Sequence, residues 1–376
     1  MIQETRSGNE RLAELRRRQQ ENTRLNGAEY DRRQLILASS PQHVFFQLNA
    51  VCNADCIFCS KGYDYPIFEL DPYLEKFGKE VIPLLSRAEK IHLTGSGEFL
   101  GLPDSKKILR FFNTEFPHVE KLFATNASYL GPQICELIAN GGSRYSLQIS
   151  LHASNPELNR TMMRYDAFDK VMRQLRHLIE LRDKNGGNPR IRLMFVLTTF
   201  NIEDLPNFVR LAAELKADEV AAGYFYIYES QQKYLSLYFK PDLANRYIDE
   251  ARKVADELGV VMRLPPKFGQ SPHEYQRADC CSEPWTQVML NVEGNVLPCD
   301  VFGDFPETLA EKPFREIWNG PAYRTIRANL RESKGCILTC PRHNPSSVND
   351  WDSHVIHRSK GDAAIVREYN EAMKRP

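Results

Sequence analysis

The sequence predicts an α/β protein: a parallel sheet closed wholly or partly into a barrel, followed by a small cysteine-bearing segment with a hairpin and a helix. Three observations lead there. From residue 43 onward, strand-like and helix-like stretches alternate through six βα units. Alternate positions in several of these strands are polar, which a sheet covered by helices on both faces would not tolerate. Three cysteines fall within eight residues directly after the first strand candidate, where loops build sites in barrels and open parallel sheets alike.

The bulk numbers agree with a globular chain. It has 376 residues, 42% of them hydrophobic, with 49 basic and 49 acidic side chains. That length suits one large domain plus a smaller one. A zero net charge gives no global field for nucleic acid. Nine cysteines are too few for a disulfide scaffold at this length, and their clustering points to metal ligation. No apolar signal-peptide core and no membrane-length apolar run occurs, so a soluble protein of a reducing compartment, the cytoplasm, is expected.

Residues 1–40 form a charged extension in which Leu12, Leu15 and Leu25 are among the few apolar points; a helix on the surface of the main domain fits this pattern. The expected strands are 43–49, 90–95, 121–126, 146–152, 190–199 and 219–228, with helices over 73–85, 105–114, 132–140, 167–182 and 205–215. A further helix spans 241–258, Val260-Val261-Met262-Arg263-Leu264 follows it, and 265–272 read as a linker. Strands 286–292 and 296–298 flank Glu293-Gly294-Asn295 as a hairpin. One helix is expected over 313–330 and a last one over 362–373. The domain boundaries expected are 1–40, 41–265, 275–345 and a tail, 346–376.

The polar strand positions have a meaning. Gln47 and Asn49 share one face of the first strand; His92 and Thr94 share one face of the second. Gln148, Ser150 and His152 alternate with apolar neighbours, Arg192 stands between Ile191 and Leu193, and Tyr224, Tyr226 and Tyr228 alternate with Phe225 and Ile227. If this parity faces inward, the lumen is hydrophilic and holds a ligand instead of branched apolar packing.

Cys52, Cys56 and Cys59 are spaced C-x3-C-x2-C. Three thiolates from one loop can hold one metal centre and leave a coordination position open, which suits chemistry more than scaffolding; the competing reading is a structural zinc loop. The second strand ends in Gly95-Ser96-Gly97-Glu98, where glycines allow close backbone approach and the carboxylate can accept from an ammonium group. A second cysteine set comprises Cys280, Cys281, Cys299, Cys336 and Cys340. Four of these can close a second metal site, a staple expected of so small a segment. Cys281 fits better than Cys280 because it opens Cys281-Ser282-Glu283-Pro284-Trp285, which leaves Cys280 as a thiol beside the site or a buried one. Cys135 reads as an inert core residue.

Taken together, these motifs resemble the radical S-adenosylmethionine enzymes that carry a C-terminal auxiliary cluster domain of the SPASM or twitch type, over roughly residues 43–345. The first three cysteines match C-x3-C-x-aromatic-C, with Phe58 as the aromatic. The resemblance implies a partial (β/α)6 barrel of the TIM type with a small hairpin-plus-helix cluster domain. It implies a four-iron, four-sulfur cluster on Cys52, Cys56 and Cys59 whose open iron binds S-adenosylmethionine. Gly95, Ser96, Gly97 and Glu98 resemble the motif holding the cosubstrate's amino group, although Phe99 replaces the usual proline. Ser150 matches a ribose or carboxylate contact, Arg164 lies where a carboxylate-binding arginine is often found, and Asn126 resembles the asparagine that ends the third strand. Cys281, Cys299, Cys336 and Cys340 would hold one auxiliary four-iron cluster, where full SPASM domains hold two.

The resemblance further implies reductive cleavage of S-adenosylmethionine, with a flavodoxin- or ferredoxin-type electron donor, and hydrogen abstraction from a bound substrate. The expected reaction is oxidation of a hydroxylated small molecule such as a sugar or cyclitol, with His152, Arg192 or Tyr226 as candidate base. Radical epimerisation with Cys280 as hydrogen donor and maturation of a ribosomal peptide are the alternatives; a two-zinc interaction protein is the non-enzyme reading.

Overall fold

The computed structural model describes residues 2–48, 51–59, 66–94, 97–227, 230–270, 281–299, 305 and 307–332. Strands β1 (His43–Gln47), β2 (Lys90–Thr94), β3 (Glu120–Thr125), β4 (Tyr145–Ser150), β5 (Arg190–Leu197), β6 (Glu219–Tyr224), β7 (Met262–Arg263), β8 (Gln287–Asn291) and β9 (Val296–Leu297) make one sheet. Their order is β7-β6-β5-β4-β3-β2-β1-β8-β9. Every pairing is parallel except β8 with β9. The sheet stays open between its two outer strands, so the barrel is partial. The βα alternation comes from α2 (Leu70–Leu85), α3 (Ser105–Glu115), α4 (Pro132–Ala139), α5 (Pro156–Met163), α6 (Phe168–Lys184), α7 (Leu205–Glu214) and α8 (Pro241–Leu258).

Each crossover helix buries one stripe. In α6 the buried residues are Phe168, Val171, Met172, Leu175, Leu178, Ile179 and Arg182, the spacing of a single face at 3.6 residues per turn. These stripes cover the parity of β4 and β5 that holds Leu147, Ile149, Ile191, Leu193 and Phe195, all buried. The other parity is half-buried: Ser146, Gln148 and Ser150 on β4, and Arg192, Met194 and Val196 on β5. The polar residues Gln47, His92, Gln148, Ser150 and Arg192 therefore share the open face, as the alternation predicts; Asn49 lies outside the described residues.

On β6 the expected parity is reversed. Arg192 pairs with Glu219 and Leu197 with Tyr224, so Glu219, Ala221 and Gly223 look into the lumen. Tyr224 lies on the helix side, where its hydroxyl donates to the Pro266 carbonyl at 3.1 Å and its ring packs on Phe268. A tyrosine satisfies both environments, an apolar ring in the core and a hydroxyl that finds a carbonyl, so its polar tip misleads a parity count. Tyr226 lies beyond the end of β6 and is exposed; Tyr228 is outside the described residues.

The helix expected over 313–330 is two, α10 (Phe314–Trp318) and α11 (Pro321–Arg331). The break is local chemistry: Pro321 lacks an N–H and disfavours a helical residue before it, so it starts a new helix at its first turn. The tail helix expected over 362–373 lies outside the described residues.

The hairpin does not stand apart from the barrel, because β8 pairs with β1 from His43–Gln287 to Gln47–Asn291. The amino-terminal helix α1 (Ile2–Asp31) and the segment after it clasp the same region around the short helix α9 (Glu283–Thr286). Trp285 Nε1 donates to the Gln34 carbonyl at 2.7 Å, and Asn26 Nδ2 donates to the Trp285 carbonyl at 2.7 Å. Arg327 of α11 is fully buried. Its guanidinium donates to the carbonyls of Pro284, Leu35 and Trp318 at 2.8–3.0 Å and lies over the Trp318 ring.

Gly294 turns the hairpin at φ +85°, and a Cβ there would stand 2.4 Å from the Phe77 ring of α2. Gly294→Ala is expected to destabilise the fold by about 2–4 kcal/mol, combining backbone strain with overpacking. Denaturant unfolding measures this; a change below about 0.5 kcal/mol, the range of ordinary surface substitutions, would mean that the turn does not pack on α2.

Candidate active site

The cysteine loop runs over residues 51–59 at the carboxyl end of β1, and the backbone holds it from several sides. Asp55 N donates to the Met163 carbonyl and Ile57 N to the Met162 carbonyl, both at 3.0 Å, so the last turn of α5 is the loop's seat. That helix is short; Asn155 caps it by accepting from Leu158 N, with Pro156 in its first turn. Glu98 N donates to the Val51 carbonyl at 2.9 Å, and Gln232 Nε2 donates to the Ile57 carbonyl at 3.3 Å. Cys59 N closes a turn onto the Cys56 carbonyl, and Ala54 N donates to Cys52 Sγ at 3.4 Å. An N–H aimed at a thiolate stabilises its charge.

The neighbouring motifs meet this loop. Asn126, just past β3, donates through Nδ2 to Asn53 Oδ1 at 2.8 Å and reaches Cys52 Sγ at 4.0 Å. Its Oδ1 accepts from the Ser128 backbone and hydroxyl. Glu98 is buried, and its carboxylate accepts from Thr125 Oγ1, Asn126 N and Leu100 N at 2.7–3.1 Å. Burial raises its pKa against those three bonds. In this structure Glu98 thus ties the loop after β2 to the end of β3. Arg164, at the left-handed end of α5 with φ 48°, reaches Asp55 at 3.4 Å. Ser150 ends β4 on the open face. Gly97 is described beside Glu98, whereas Gly95 and Ser96 lie outside the described residues.

The three described candidate bases part company. His152 sits buried at φ +61° after β4. Its Nδ1 accepts from Val196 N at 3.0 Å, and burial lowers its pKa to about 3. The neutral ring then carries its proton on Nε2, which leaves no lone pair to take another. Its ring meets Phe58 edge-on at 4.6 Å, so it walls the cysteine loop. Asn201 ties this corner together by donating to the carbonyls of His152 and Val196. Arg192 donates to buried Glu219 at 2.9 Å, and a guanidinium offers donors but no acceptor. Tyr226, beyond the end of β6, is exposed. Phe225, Ile227 and Leu235 are buried against Ile57, Phe58 and Val196, an apolar wall that keeps water from this side of the loop.

Of the second cysteine set, Cys281 is half-buried and Cys299 buried. Cys281 precedes α9 and Cys299 follows β9, so the pair brackets the hairpin. Cys280, Cys336 and Cys340 lie outside the described residues. Cys135 is buried with its pKa pushed up to about 12 by burial, as an inert core thiol should be. Three features escaped the sequence pattern: the α5 carbonyls, Gln232 and Glu219. Asn155-Pro156 was the one available signal for α5.

Among the described residues no three His, Cys, Asp or Glu side chains are gathered to hold a metal ion. The fit of an iron–sulfur cluster therefore rests on donor chemistry. Three thiols from one pinned loop, an N–H directed at Cys52 and an apolar wall behind Phe58 are what such a cluster requires of its protein.

Lower in the lumen, His92 stacks on Phe45 at 3.9 Å and lies 5.6 Å from His43. Burial, then His43 and Lys90, lowers its pKa to about 3. The folded value lies below the unfolded one, so this contribution is complete above pH 6.5 and is lost as pH falls from there toward 3. Relative to wild type, His92→Gln should recover about 1–2 kcal/mol of stability between pH 7 and pH 5. Parallel unfolding curves for both proteins across that range would contradict this.

Comparison with known proteins agrees with this geometry. The radical SAM superfamily model matches residues 47–212 and an iron-sulfur cluster-binding domain model, SPASM, matches residues 280–342. An AdoMet-dependent heme synthase from Methanosarcina barkeri is 22% identical over 81% of this chain and 90% of its own. The mycofactocin maturase MftC from Mycolicibacterium smegmatis is 27% identical, but over only 47% of this chain and 43% of its own. Among solved structures, SuiB of Streptococcus suis bound to S-adenosylmethionine superposes with a TM-score of 0.61 at 18% identity, covering 82% of this chain and 72% of that one. The AdoMet-bound anSMEcpe gives 0.58 at 16% identity, covering 88% and 96%; at such identities these two show the fold alone. No described helix is long and apolar enough to cross a membrane. The cofactors that go with the two family models are a four-iron, four-sulfur cluster, S-adenosylmethionine and an auxiliary iron–sulfur cluster. The chain belongs to the radical SAM superfamily and carries a C-terminal SPASM domain.

Proposed function

We propose that this enzyme oxidises a hydroxylated small molecule, a sugar or cyclitol in the first instance, bound on the open face of the sheet beneath the cysteine loop. Cys52, Cys56 and Cys59 hold the cluster at the carboxyl end of β1, and Cys281, Cys299, Cys336 and Cys340 hold the auxiliary one. Once bound, the cluster and S-adenosylmethionine supply a hydrogen-abstracting radical, and the auxiliary cluster supplies an acceptor for the second electron. An external donor of the flavodoxin or ferredoxin type provides the first electron.

The observation that carries this reading is the pairing of a pinned thiol loop with a polar, roomy open face. Gln148, Ser146 and Ser150 offer hydrogen bonds, while Ala124 and Gly223 are exposed within their strands and leave space for a ligand. His152 holds Phe58 and the end of β5, so it positions the loop without moving a proton. Asn126 and Glu98 fix the ends of β2 and β3 around the same loop. The relative matched over most of both chains is named for synthesis of a small molecule, heme, which supports a small substrate.

A peptide-modifying reading draws on a different observation. Phe200, Tyr226, Tyr234 and Phe239 are exposed, and Phe200 and Tyr234 pair edge-on at 5.9 Å. MftC is named a maturase.

The mass of the product decides among these readings. Reconstituted enzyme is incubated anaerobically with S-adenosylmethionine, reductant and a panel of sugars and cyclitols, with and without acidic groups. A product lighter by two hydrogens, formed together with 5′-deoxyadenosine, is expected. A mass unchanged in ordinary water, with one deuterium gained in deuterated water, would mean epimerisation, with Cys280 as the thiol to replace. Turnover of peptides and of none of the small molecules would contradict the proposal.

A further inference from the structure

At the amino-terminal end of the lumen, three guanidinium groups converge on one carboxylate. Glu219, the first residue of β6, is fully buried. Arg190 and Arg192 of β5 donate to its Oε2 at 3.2 and 2.9 Å, and Arg263 of β7 pairs with its Oε1. One arginine fork is enough to satisfy a carboxylate, so this arrangement carries two positive charges more than the buried acid needs. Arg192 Nε is itself buried and finds no acceptor among the described residues.

The remaining charged positions on the open face do not cancel the excess. By strand register, Lys90 of β2 and Glu120 of β3 face each other as partners, and Glu120 accepts from the Ser146 hydroxyl. β1, β4 and β8 contribute His43, Ser146, Gln148 and Gln287 but no formal charge. A chain that is neutral overall has gathered a surplus of positive charge at one end of its lumen, where low-dielectric walls strengthen the field.

Between that end and the cysteine loop the lumen is kept open by small residues. Ala124 and Gly223 are exposed and Ser150 and Ala221 half-buried, although all four lie within strands. Arg192 and Val196 lie on one strand, and Val196 touches the Phe58–His152 corner. Four residue steps of strand separate them, a rise of about 13 Å.

We propose that the Arg190–Arg192–Arg263 floor around Glu219 is a subsite for an anionic group, a carboxylate or a phosphate, at the far end of an elongated substrate. The inference deepens the proposed function and rests on its placement of the substrate beneath the cysteine loop. A substrate held there presents its reacting carbon on the order of 10 Å from its acidic group. Arg192 is thereby a specificity-determining residue and not a base. Glu219 sets the strength of the site by neutralising part of its charge and fixing the forks in place.

The test is anion binding to the reconstituted protein, read as the rise in thermal unfolding midpoint with added ligand. Inorganic phosphate and succinate are the two probes, each compared with chloride at equal ionic strength. At least one of them should give a saturable rise in wild type, and which one does so identifies the acidic group preferred. Arg192→Gln should weaken the apparent affinity at least tenfold, and Arg192→Lys should recover part of it. Arg190→Gln, at a more exposed side chain, should weaken binding without disturbing the core. Glu219→Gln should tighten binding, a direction opposite to that of a damaged fold. No saturable rise above chloride in wild type, or equal rises in all variants, would overturn the proposal. The readout needs no cleavage of S-adenosylmethionine, so its failure and a failure of the proposed reaction are separately visible.

Discussion

The position of the backbone over residues 51–59 is the constraint from which the rest of the site follows. A cluster ligated from a single loop can be placed only as well as that loop is placed. Here the loop is tied to the last turn of α5 by two N–H donors, to the end of β2 through Val51, and to Gln232 beyond β6. Each such bond contributes about 1 kcal/mol net, comparable with the cost of fixing one residue's backbone. The ties therefore fix the residues they touch, and under the proposed ligation by the three thiols metal-binding energy would add to folding energy at this loop.

The same strand that carries the loop also carries the hairpin. β1 is hydrogen-bonded to β2 on one side and β8 on the other, so the cysteine-bearing hairpin and the cysteine loop share a single strand as their frame. The clasp around Trp285 and Arg327 secures that frame from outside. Burying Arg327 lowers its pKa to about 9, and three carbonyl acceptors offset the desolvation of its charge.

Much of this was legible in the sequence, for reasons that can be named. The thiol spacing is local, and its place after the first strand candidate already put it at the carboxyl end of a parallel sheet. Strict alternation put Gln148, Ser150 and Arg192 on the open face correctly, because their whole side chains are polar. It failed at Tyr224, whose ring is core material with a hydroxyl at its tip. It also ran helix 313–330 through Gly320-Pro321, where backbone chemistry outranks periodicity. The pairing of β8 with β1, and the burial of Arg327 and Glu219, depend on contacts between distant segments. A single sequence carries no local mark of these: Arg327 reads as a surface charge on a helix and Glu219 as the solvated start of a strand.

The measurement closest to the central claim counts iron and sulfide in anaerobically reconstituted protein and assays reductive cleavage of S-adenosylmethionine. Wild type is compared with the variant in which Cys52, Cys56 and Cys59 are all alanine. About eight irons in wild type, about four in the variant, and 5′-deoxyadenosine from wild type alone is the predicted result. Zinc in place of iron, or fully loaded wild type that releases no 5′-deoxyadenosine, would contradict it.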